Sequence, residues 1–277
     1  MNVEEIIKLA LEEDLGDGDH SSLSTIPEGN KGEAHLIVKQ DGILAGVAVA
    51  EKVFKAVDPE TTLEIFIKDG APIKSGDIVF KVSGKSVSLL SAERLALNFM
   101  QRMSGIATYT NYLSGLLEGL HTRLLDTRKT TPNFRYFEKE AVRIGGGVNH
   151  RMGLFDMVMI KDNHVDFAGG ISKAINATNI YLRDKGKDLK IEIEVRSLNE
   201  LEQVMKCGGV DRIMFDNFSI DKMVEAVKIV GGKYETEASG GITEDTLRSV
   251  AETGVDFISV GALTHQIKSL DLSLKAI

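Results

Sequence analysis

Short apolar runs recur at a nearly constant interval in the second half of the chain, and this interval restricts the fold more than any other feature. The runs IEIEV, RIMF, YETEA and FISV begin at residues 191, 212, 234 and 257, which are 21, 22 and 23 residues apart. Segments with apolar residues at helical spacing lie between them. Strand–helix units at this spacing predict right-handed parallel crossovers, hence a (β/α) barrel or a doubly wound sheet.

Two earlier runs extend this rhythm. TRLLD lies at 122–126 and MVMI at 157–160, and a short strand near Gly147 would bring the number of strands to about seven, one fewer than in a standard barrel. Helices are predicted between the runs, at 134–144, 168–184, 197–206, 219–230 and 243–252.

The ends of the runs favour the barrel. Nearly every run ends in polar residues or glycines: Asp126-Thr127-Arg128, Lys161-Asp162, Glu194, Asp216, Ser239-Gly240-Gly241 and Gly261. A doubly wound sheet gathers its ligand groups at one switch point, whereas a barrel draws them from the carboxyl ends of most strands. The sequence therefore predicts a barrel.

The first hundred residues show a different pattern, in which β-rich runs alternate with turns. The runs lie at 34–38, 63–67 and 78–82, with helices predicted over 2–13 and around 49–57. Together they indicate an α+β domain of common size.

The segment 88–117 has helical spacing, and Gly105 is expected to divide it into two helices at the domain junction. We place the domain limits at 1–106 and 107–265, with 266–277 packing back onto the first domain. Arg94 and Arg102 lie on this segment and, from spacing alone, are interpreted as solvated or paired helix charges.

The charge distribution predicts a small anionic ligand. The chain has a net charge of −8, yet residues 121–165 hold eight Lys and Arg against five Asp and Glu, a local balance of +3. A compact basic span in an acidic protein suggests a pocket for an anionic small molecule, because nucleic acid requires a broad basic face.

Composition also bears on location. The single cysteine, Cys207, excludes an intramolecular disulfide and a cysteine-based zinc site. The acidic, amphipathic start is unlike a signal peptide, and no window has the roughly 18–20 apolar residues that span a bilayer. We expect a cytoplasmic protein.

Glycine loops after the last two runs predict a phosphate site. SGGI at 239–242 follows one strand run, and Ile258–Ala262 covers the end of the next. Glycines let backbone N–H groups approach an anion, and a helix N-terminus adds partial positive charge. In this architecture, the loops after the last two strands commonly hold phosphate.

Glu194 and Asp216 close adjacent runs and are expected to project into one mouth, where their hard oxygen ligands would suit Mg²⁺. Alternatively, both are interior charges paired with Lys or Arg, which removes the metal and keeps the pocket. Glu192 lies two residues before Glu194, and one of the two is expected to face the lumen and the other a neighbouring layer or an ion pair.

The cations of the basic span form two groups. Those at loop or strand-end positions are Arg128, Lys129, His150, Arg151 and Lys161. Those at spacings of four on the helix predicted at 134–144 are Arg135, Lys139 and Arg143, interpreted mostly as surface or phosphate-rim charges. The first group suits a carboxylated acid, since arginine binds carboxylates bidentately and lysine acts as a point charge. His164 is a candidate for proton transfer, although a hydrogen-bonded structural histidine is commoner.

The motifs together resemble one family, quinolinate phosphoribosyltransferase, the carboxylating nicotinate-nucleotide pyrophosphorylase of de novo NAD synthesis. They are ALEEDLGDGD, AERLALNFMQRMSGIAT, DTRKTTP, GGGVNHRMGLFDMVMIKDNH, IEIEV, IMFDN, ASGGI and SVGALTH, and they extend over nearly the whole chain. TRKTTP, GGG-x-NHR-x-GL and IKDNH in this order are highly specific. The departures, at Asn133-Phe134, His20-Ser21 and Arg196, remove no charged group that the chemistry needs.

The resemblance implies an N-terminal α/β sandwich, an incomplete seven-stranded α/β barrel and an active site at a homodimer interface, with hexamers in some members. It implies that quinolinate and phosphoribosyl pyrophosphate give nicotinate mononucleotide, pyrophosphate and CO₂, with Mg²⁺ near Glu194 and Asp216. The catalytic residues would be Lys129, Lys161, Glu194 and Asp216.

Substrate contacts are implied in the same way. Arg94 would reach across the dimer interface to quinolinate, which replaces its interpretation as a paired helix charge. The family's quinolinate-binding positions match Arg128, His150, Arg151 and Lys161, while Lys129 and Lys161 would also lie near phosphoribosyl pyrophosphate. The residues that would line the 5′-phosphate site are Ser239, Gly240, Gly241, Gly261 and His265.

Other functions fit parts of the pattern. A molybdenum-transport-associated branch and a nicotinate-using relative would keep the fold and change the acceptor. A Schiff-base aldolase would use Lys161 at its strand end. A sugar-phosphate-binding barrel without catalysis is the third alternative.

Overall fold

The computed structural model describes residues 2–277, which form eleven helices and twelve strands. The helices are α1 Val3–Leu15, α2 His20–Thr25, α3 Val47–Val57, α4 Ser86–Leu116, α5 Arg135–Ile144, α6 Asp162–Ala168, α7 Ile171–Asp184, α8 Leu198–Cys207, α9 Ile220–Val230, α10 Glu244–Ala251 and α11 Ala262–His265. The strands are β1 Lys31–Val38, β2 Gly42–Ile43, β3 Thr62–Ile65, β4 Pro72–Ile73, β5 Ile78–Lys85, β6 Arg123–Leu125, β7 Val158–Ile160, β8 Ile191–Val195, β9 Arg212–Asp216, β10 Glu235–Ser239, β11 Phe257–Ser259 and β12 Leu272–Ala276.

The chain divides into two compact units. One contains the chain up to Asn111 together with Thr130–Gly146 and Ala262–Ile277, and the other contains Tyr112–Lys129 and Gly147–Gly261. The domain limits expected at residues 106 and 265 stay a prediction.

The first unit is built on an antiparallel sheet with the strand order β12-β1-β5-β3. Alternate residues of β1 are buried, namely Ala34, Leu36 and Val38, because successive side chains of a strand point to opposite faces. Leu36 pairs with Leu274 on one side and with Phe80 on the other. The predicted N-terminal strands and the helices at 2–13 and 49–57 are confirmed.

The prediction that Gly105 divides the helical segment is wrong, because α4 runs unbroken from Ser86 to Leu116. Glycine costs a helix only about 1 kcal/mol relative to alanine, so surrounding packing can override it. A Cβ atom on Gly105 would lie 2.3 Å from the carbonyl oxygen of Lys268. The glycine therefore serves a close approach of two backbone segments.

A pair of glycine substitutions on α4 tests this explanation. We expect Gly105→Ala to lower the free energy of unfolding by about 1–3 kcal/mol, because the added methyl group collides with the backbone near Lys268. Gly115→Ala is the matched control, since its Cβ would meet nothing within 4 Å, and a gain of about 0.5–1 kcal/mol is expected. Urea unfolding followed by circular dichroism measures both, and equal shifts would refute the close-approach explanation.

The three cations of α5, Arg135, Lys139 and Arg143, differ in burial. Lys139 is only 1% exposed, so the prediction of a surface charge is wrong for this residue. It lies in the run of α5 that is buried from Phe137 to Lys139, whereas Arg143 is exposed and pairs with Glu140. Spacing alone could not distinguish them, because all three recur at intervals of four residues.

A fully buried carboxylate on the same helix anchors two other segments of this unit. Glu138 accepts hydrogen bonds from the Arg102 guanidinium and from both the amide and the hydroxyl group of Thr131. Arg102 also donates to the carbonyl oxygen of Thr264 at 2.5 Å. The interpretation of Arg102 as a paired helix charge is therefore confirmed.

The second unit contains a six-stranded parallel sheet with the order β6-β11-β10-β9-β8-β7. Each of the six runs predicted as strands after residue 120 forms one of these strands. The seventh predicted strand, near Gly147, is reduced to a single parallel bridge between Val148 and Leu125. In chain order this bridge takes the place of a second strand, between β6 and β7. The strand order is therefore that of a barrel in which this second strand and β7 are not paired, so the barrel is open there. The predicted α/β class, with an incomplete barrel and a separate antiparallel sheet, is confirmed.

The helix predicted over 168–184 is confirmed as α7, which begins at Ile171. The short helix α6 before it was not predicted. Gly169 and Gly170 separate α6 from α7 with φ angles of 81° and 126°, which glycine adopts without the steric cost of a Cβ atom.

No helix within residues 2–277 is both long and apolar enough to cross a membrane.

Candidate active site

The carboxyl ends of the parallel strands form one rim of the second unit. Lys161 follows β7, Glu194 lies near the end of β8, and Asp216 and Ser239 end β9 and β10. Ser239 is the register partner of Asp216, whereas Glu194 pairs with Met214, two residues before Asp216. Asp216 thus lies farther along the strand direction than Glu194.

Lys161 and Glu194 form an ion pair on this rim. The Nζ atom of Lys161 donates to Glu194 Oε2 at 3.2 Å, and the Glu194 side chain is 10% exposed. The backbone N–H of Lys161 donates to His164 Nδ1, which fixes the first turn of α6. His164 is therefore a hydrogen-bonded structural histidine, the commoner case that the sequence analysis named. Glu194 is paired with a lysine, as expected if it is an interior charge and not a metal ligand.

The loops after β9 and β10 meet through Asn217 and Gly240. Asn217 has a φ of 54° and donates from its side chain to Asp216 Oδ2 at 2.9 Å. Gly240 has a φ of 98°, and a Cβ atom there would lie 2.2 Å from Asn217 Oδ1. Only glycine fits this position, and Gly241 follows with a φ of 62°. This is the glycine loop for which the sequence predicts phosphate binding.

Arg151 lies in a loop that Asp126 holds in place. The buried Asp126 accepts from the side chain of Asn149 at 2.6 Å and from the backbone N–H of His150 at 2.8 Å. The Arg151 guanidinium donates to the carbonyl oxygen of Met157 at 3.3 Å.

The positive charges of Arg128 and Arg151 affect one another. Burial lowers the pKa of Arg151 below its ordinary value, and the positive charge of Arg128 lowers it further, while the charges of Glu192 and Asp156 act in the opposite direction. Like charges held close together favour an anion between them. The region around Arg128 and Arg151 is therefore a candidate anion site.

A buried polar cluster surrounds His150, the residue before Arg151. His150 Nε2 is 2.9 Å from Glu192 Oε2 and 3.5 Å from Glu237 Oε2, and Arg212 reaches Glu237 at 3.2 Å. Glu192 and Glu194 lie two residues apart on β8 and so point to the same face, which corrects the expectation that they face different layers. Glu192 contacts His150, and Glu194 pairs with Lys161.

Burial changes the protonation of both carboxyl groups in this cluster. It raises the pKa of Glu192 to about 7, although Arg212 opposes the shift. It raises the pKa of Glu237 to about 8, with a further increase from the charge of Glu192 and a decrease from His150 and Arg212. Two carboxyl groups this close cannot both ionise easily, so the pair as a whole retains a proton at neutral pH.

The raised pKa of Glu237 predicts a pH dependence of stability. The unfolded chain releases this proton near the ordinary pKa of 4.5, whereas the folded chain keeps it up to about 8. Stability contributed by the protonated group is therefore complete below the unfolded pKa and is lost as pH rises through the folded pKa. We expect the free energy of unfolding to fall by on the order of 1–2 kcal/mol between about pH 5.5 and 7.5.

The matched comparison is Glu237→Gln, which removes this titration. The groups that face Glu237 are His150, Glu192, Arg212 and Ser259, and all remain in the variant. Urea unfolding across this pH range should give a smaller slope for Glu237→Gln than for the unaltered protein. Parallel curves would contradict the raised pKa of Glu237.

The remaining candidate residues are divided between the units. Arg128 and Lys129 are exposed in the second unit, which also contains Gly261, at the start of the loop after β11. Arg94, exposed on α4, and His265, at the end of α11, belong to the first unit. Within the second unit alone, strand ends and the residues next to them hold Lys161, Glu194, Asp216, Ser239 and Gly240, and Arg151 lies in the loop after the Val148 bridge.

Sequence reasoning missed Glu237 and Arg212. A signal was present, because the run YETEA places two glutamates two residues apart in a predicted buried strand. A neighbouring run begins with Arg212, and charges on adjacent buried strands usually pair.

The open parallel barrel, with cations, carboxylates and glycine loops at the carboxyl ends of its strands, places the chain among α/β-barrel proteins that bind anionic small molecules there. Family models for the quinolinate phosphoribosyl transferase N-terminal and C-terminal domains match residues 19–104 and 106–275. The chain belongs to the quinolinate phosphoribosyltransferase family.

Individual relatives agree along nearly the full length. The chain is 46% identical to quinolinate phosphoribosyltransferase [decarboxylating] 1b of Nicotiana tabacum, over 98% of this chain and 81% of the tobacco protein. It is 41% identical to the probable nicotinate-nucleotide pyrophosphorylase [carboxylating] of Bacillus subtilis, over 95% of this chain and 89% of that one. The crystal structure of NadC from Streptococcus pyogenes superposes with a TM-score of 0.94 at 39% identity, covering 99% of this chain and 97% of that one.

Proposed function

We propose that the protein transfers the phosphoribosyl group of phosphoribosyl pyrophosphate to quinolinate and releases pyrophosphate and CO₂, giving nicotinate mononucleotide. Quinolinate carries two carboxylates, and the observation that carries the proposal is that the charge of Arg128 acts on the half-buried Arg151, in the unit that also holds the Lys161–Glu194 ion pair. The names of relatives at 41–46% identity support the same activity.

In the proposed reaction, Arg128, Arg151 and Lys161 bind the carboxylates and orient the ring nitrogen toward C1 of the ribose. The nitrogen–C1 bond forms as the bond from C1 to the pyrophosphate oxygen breaks, and positive charge develops on the ribose. Glu194 and Asp216 lie at strand ends suited to stabilising that charge, while Lys129 neutralises the leaving group.

Decarboxylation follows on the quaternised ring. The bond from C2 to its carboxyl carbon breaks, the electron pair stays on C2 next to the positive nitrogen, and C2 then takes up a proton. The loop from Ser239 to Gly241, with Gly261 and His265, is assigned to the 5′-phosphate. Backbone N–H groups at Gly240 and Gly241 suit that task, since their positive φ angles allow a tight turn.

Mg²⁺ is part of the proposal. The donor set fits, because Glu194 and Asp216 offer hard carboxylate oxygens, although Lys161 shares Glu194. When bound, Mg²⁺ would neutralise the charge of the departing pyrophosphate.

We propose that the protein assembles as a homodimer, and that hexamers are a further assembly. In the dimer, Arg94 of one subunit would reach across the interface to quinolinate, and the exposure of Arg94 on α4 is compatible with that role. A cytoplasmic location also stays a prediction.

The test is an assay of the pure protein with Mg²⁺ and phosphoribosyl pyrophosphate, supplied in parallel with quinolinate or nicotinate. We expect nicotinate mononucleotide and CO₂ in equal amounts with quinolinate, and little turnover with nicotinate. Efficient use of nicotinate, without CO₂ release, would instead assign the acceptor of the nicotinate-using relatives.

A further inference from the structure

The cluster of His150, Glu192, Glu237 and Arg212 contacts Arg151 through His150, and the reaction derived above leaves the carboxyl groups of Glu192 and Glu237 without a task. We propose that Glu237 and Glu192 are positioning residues for quinolinate binding, which act on Arg151 through His150. This inference rests on the proposed function.

The contact between His150 and Arg151 fixes which ring nitrogen carries hydrogen. The backbone N–H of Arg151 donates to His150 Nδ1 at 2.7 Å, so Nδ1 acts as an acceptor. A neutral imidazole then carries its hydrogen on Nε2, because one ring nitrogen accepts and the other donates. A ring flipped about its Cβ–Cγ bond would present Cδ2, which accepts no hydrogen bond, to the Arg151 amide.

The two glutamates fix the other edge of the same ring. Nε2 lies 2.9 Å from Glu192 Oε2 and 3.5 Å from Glu237 Oε2, and both glutamates are fully buried. The His150 side chain is 6% exposed. Nε2 and Glu192 Oε2 are close without being aligned as a hydrogen bond, and a carboxyl oxygen this near favours hydrogen on Nε2. Nδ1 is then available to the backbone of Arg151.

Arg212 holds Glu237 from the opposite side. Its Nη1 atom donates to Glu237 Oε2 at 3.2 Å, while Nε and Nη2 donate to Glu235 Oε2 at 3.2 and 3.0 Å. The guanidinium group also stacks over the ring of Phe257 at 4.3 Å. A continuous series of contacts thus runs from β9 through β10 and His150 to the loop that carries Arg151.

The trio of His150, Glu192 and Glu237 also has the spacing of a metal site, since its ligand atoms lie within 4.8 Å of one another. Arg212 makes that alternative unfavourable, because its buried positive charge already occupies Glu237 and would repel a cation. The orientation of His150 therefore explains the cluster better.

Glu235 supplies a matched control for the experiment. It lies two residues before Glu237 on β10, and its ion-pair partners are the same Arg212 and Lys190 rather than His150. Glu237→Gln and Glu235→Gln each remove one carboxylate from Arg212. We expect quinolinate binding, measured by calorimetry, to weaken about tenfold or more in Glu237→Gln, since small displacements of a binding group are costly. Phosphoribosyl pyrophosphate affinity and kcat at saturating quinolinate should change less than about twofold in both variants.

Non-additivity identifies the route through His150. In a His150→Ala background, Glu237→Gln should cause no further loss of quinolinate affinity, because residues that act as a unit are not additive. Thermal unfolding establishes that each variant is folded, and Glu192→Gln, with the same expected loss, replaces Glu237→Gln should that variant fail to fold.

Equal losses in Glu237→Gln and Glu235→Gln, or unchanged quinolinate affinity in Glu237→Gln, would overturn the inference while the unaltered protein still binds quinolinate. Additive losses with His150→Ala would overturn it as well. An unaltered protein that neither binds nor turns over quinolinate would instead refute the proposed function, and the inference with it.

Discussion

Replacing Arg151 with alanine is expected to abolish measurable quinolinate binding, with a loss of affinity of about a hundredfold or more. Arg151 is half-buried, and its charge lies close to that of Arg128. A carboxylate that loses a bidentate guanidinium partner in such a site keeps its desolvation cost without the compensating hydrogen bonds. Calorimetric titration with quinolinate measures the effect directly.

Two further variants define what that result means. Arg151→Lys keeps the charge and removes the planar fork, so an intermediate loss is expected. Arg183→Ala removes an exposed arginine of α7 that pairs with Asp184, and it should bind quinolinate normally. Normal affinity in Arg151→Ala would refute the role assigned to this residue.

The second large effect concerns turnover. We expect Glu194→Gln and Asp216→Asn each to lower kcat by about 10²–10³, the usual cost of removing one preorganised charge from a transition state. Both carboxylates lie at strand ends on the rim, and Glu194 contacts Lys161 at 3.2 Å. Steady-state rates with both substrates saturating provide the measurement.

Measuring quinolinate affinity in the Glu194→Gln and Asp216→Asn variants distinguishes an effect on the chemical step from an effect on substrate binding. It should change much less than kcat, because the carboxylates are assigned to charge that develops only in the transition state. Glu225→Gln, at an exposed position on α9, is the charge-matched control and should keep its turnover. Retention of full kcat in both rim variants would favour a barrel that binds sugar phosphates without this catalysis.

Much of the fold followed from periodicity. Strand–helix units spaced 21–23 residues apart permit few topologies, and the six parallel strands formed where the apolar runs predicted them. The seventh failed as a strand because only Val148 pairs with Leu125 before the chain turns toward His150. Gly105 was misjudged because local propensity carries no information about Lys268, which is distant in sequence.

The candidate site was predictable to the extent that its residues end strands. Lys161, Glu194 and Asp216 follow that rule, so topology alone brings them to one rim. Glu237 and Arg212 lie inside strands, and their partnership depends on register between neighbours, which periodicity does not specify. Lys139 illustrates the same limit for helices, since the burial of one cation among three at equal spacing depends on what the helix packs against.

A crystal structure of the protein with bound quinolinate tests the central claim most directly, because that claim is spatial. We predict that the two carboxylates lie against Arg128, Arg151 and Lys161 at the carboxyl ends of the parallel strands, with the ring nitrogen facing Glu194 and Asp216. Quinolinate bound on another surface, with these five side chains uninvolved, would contradict the account.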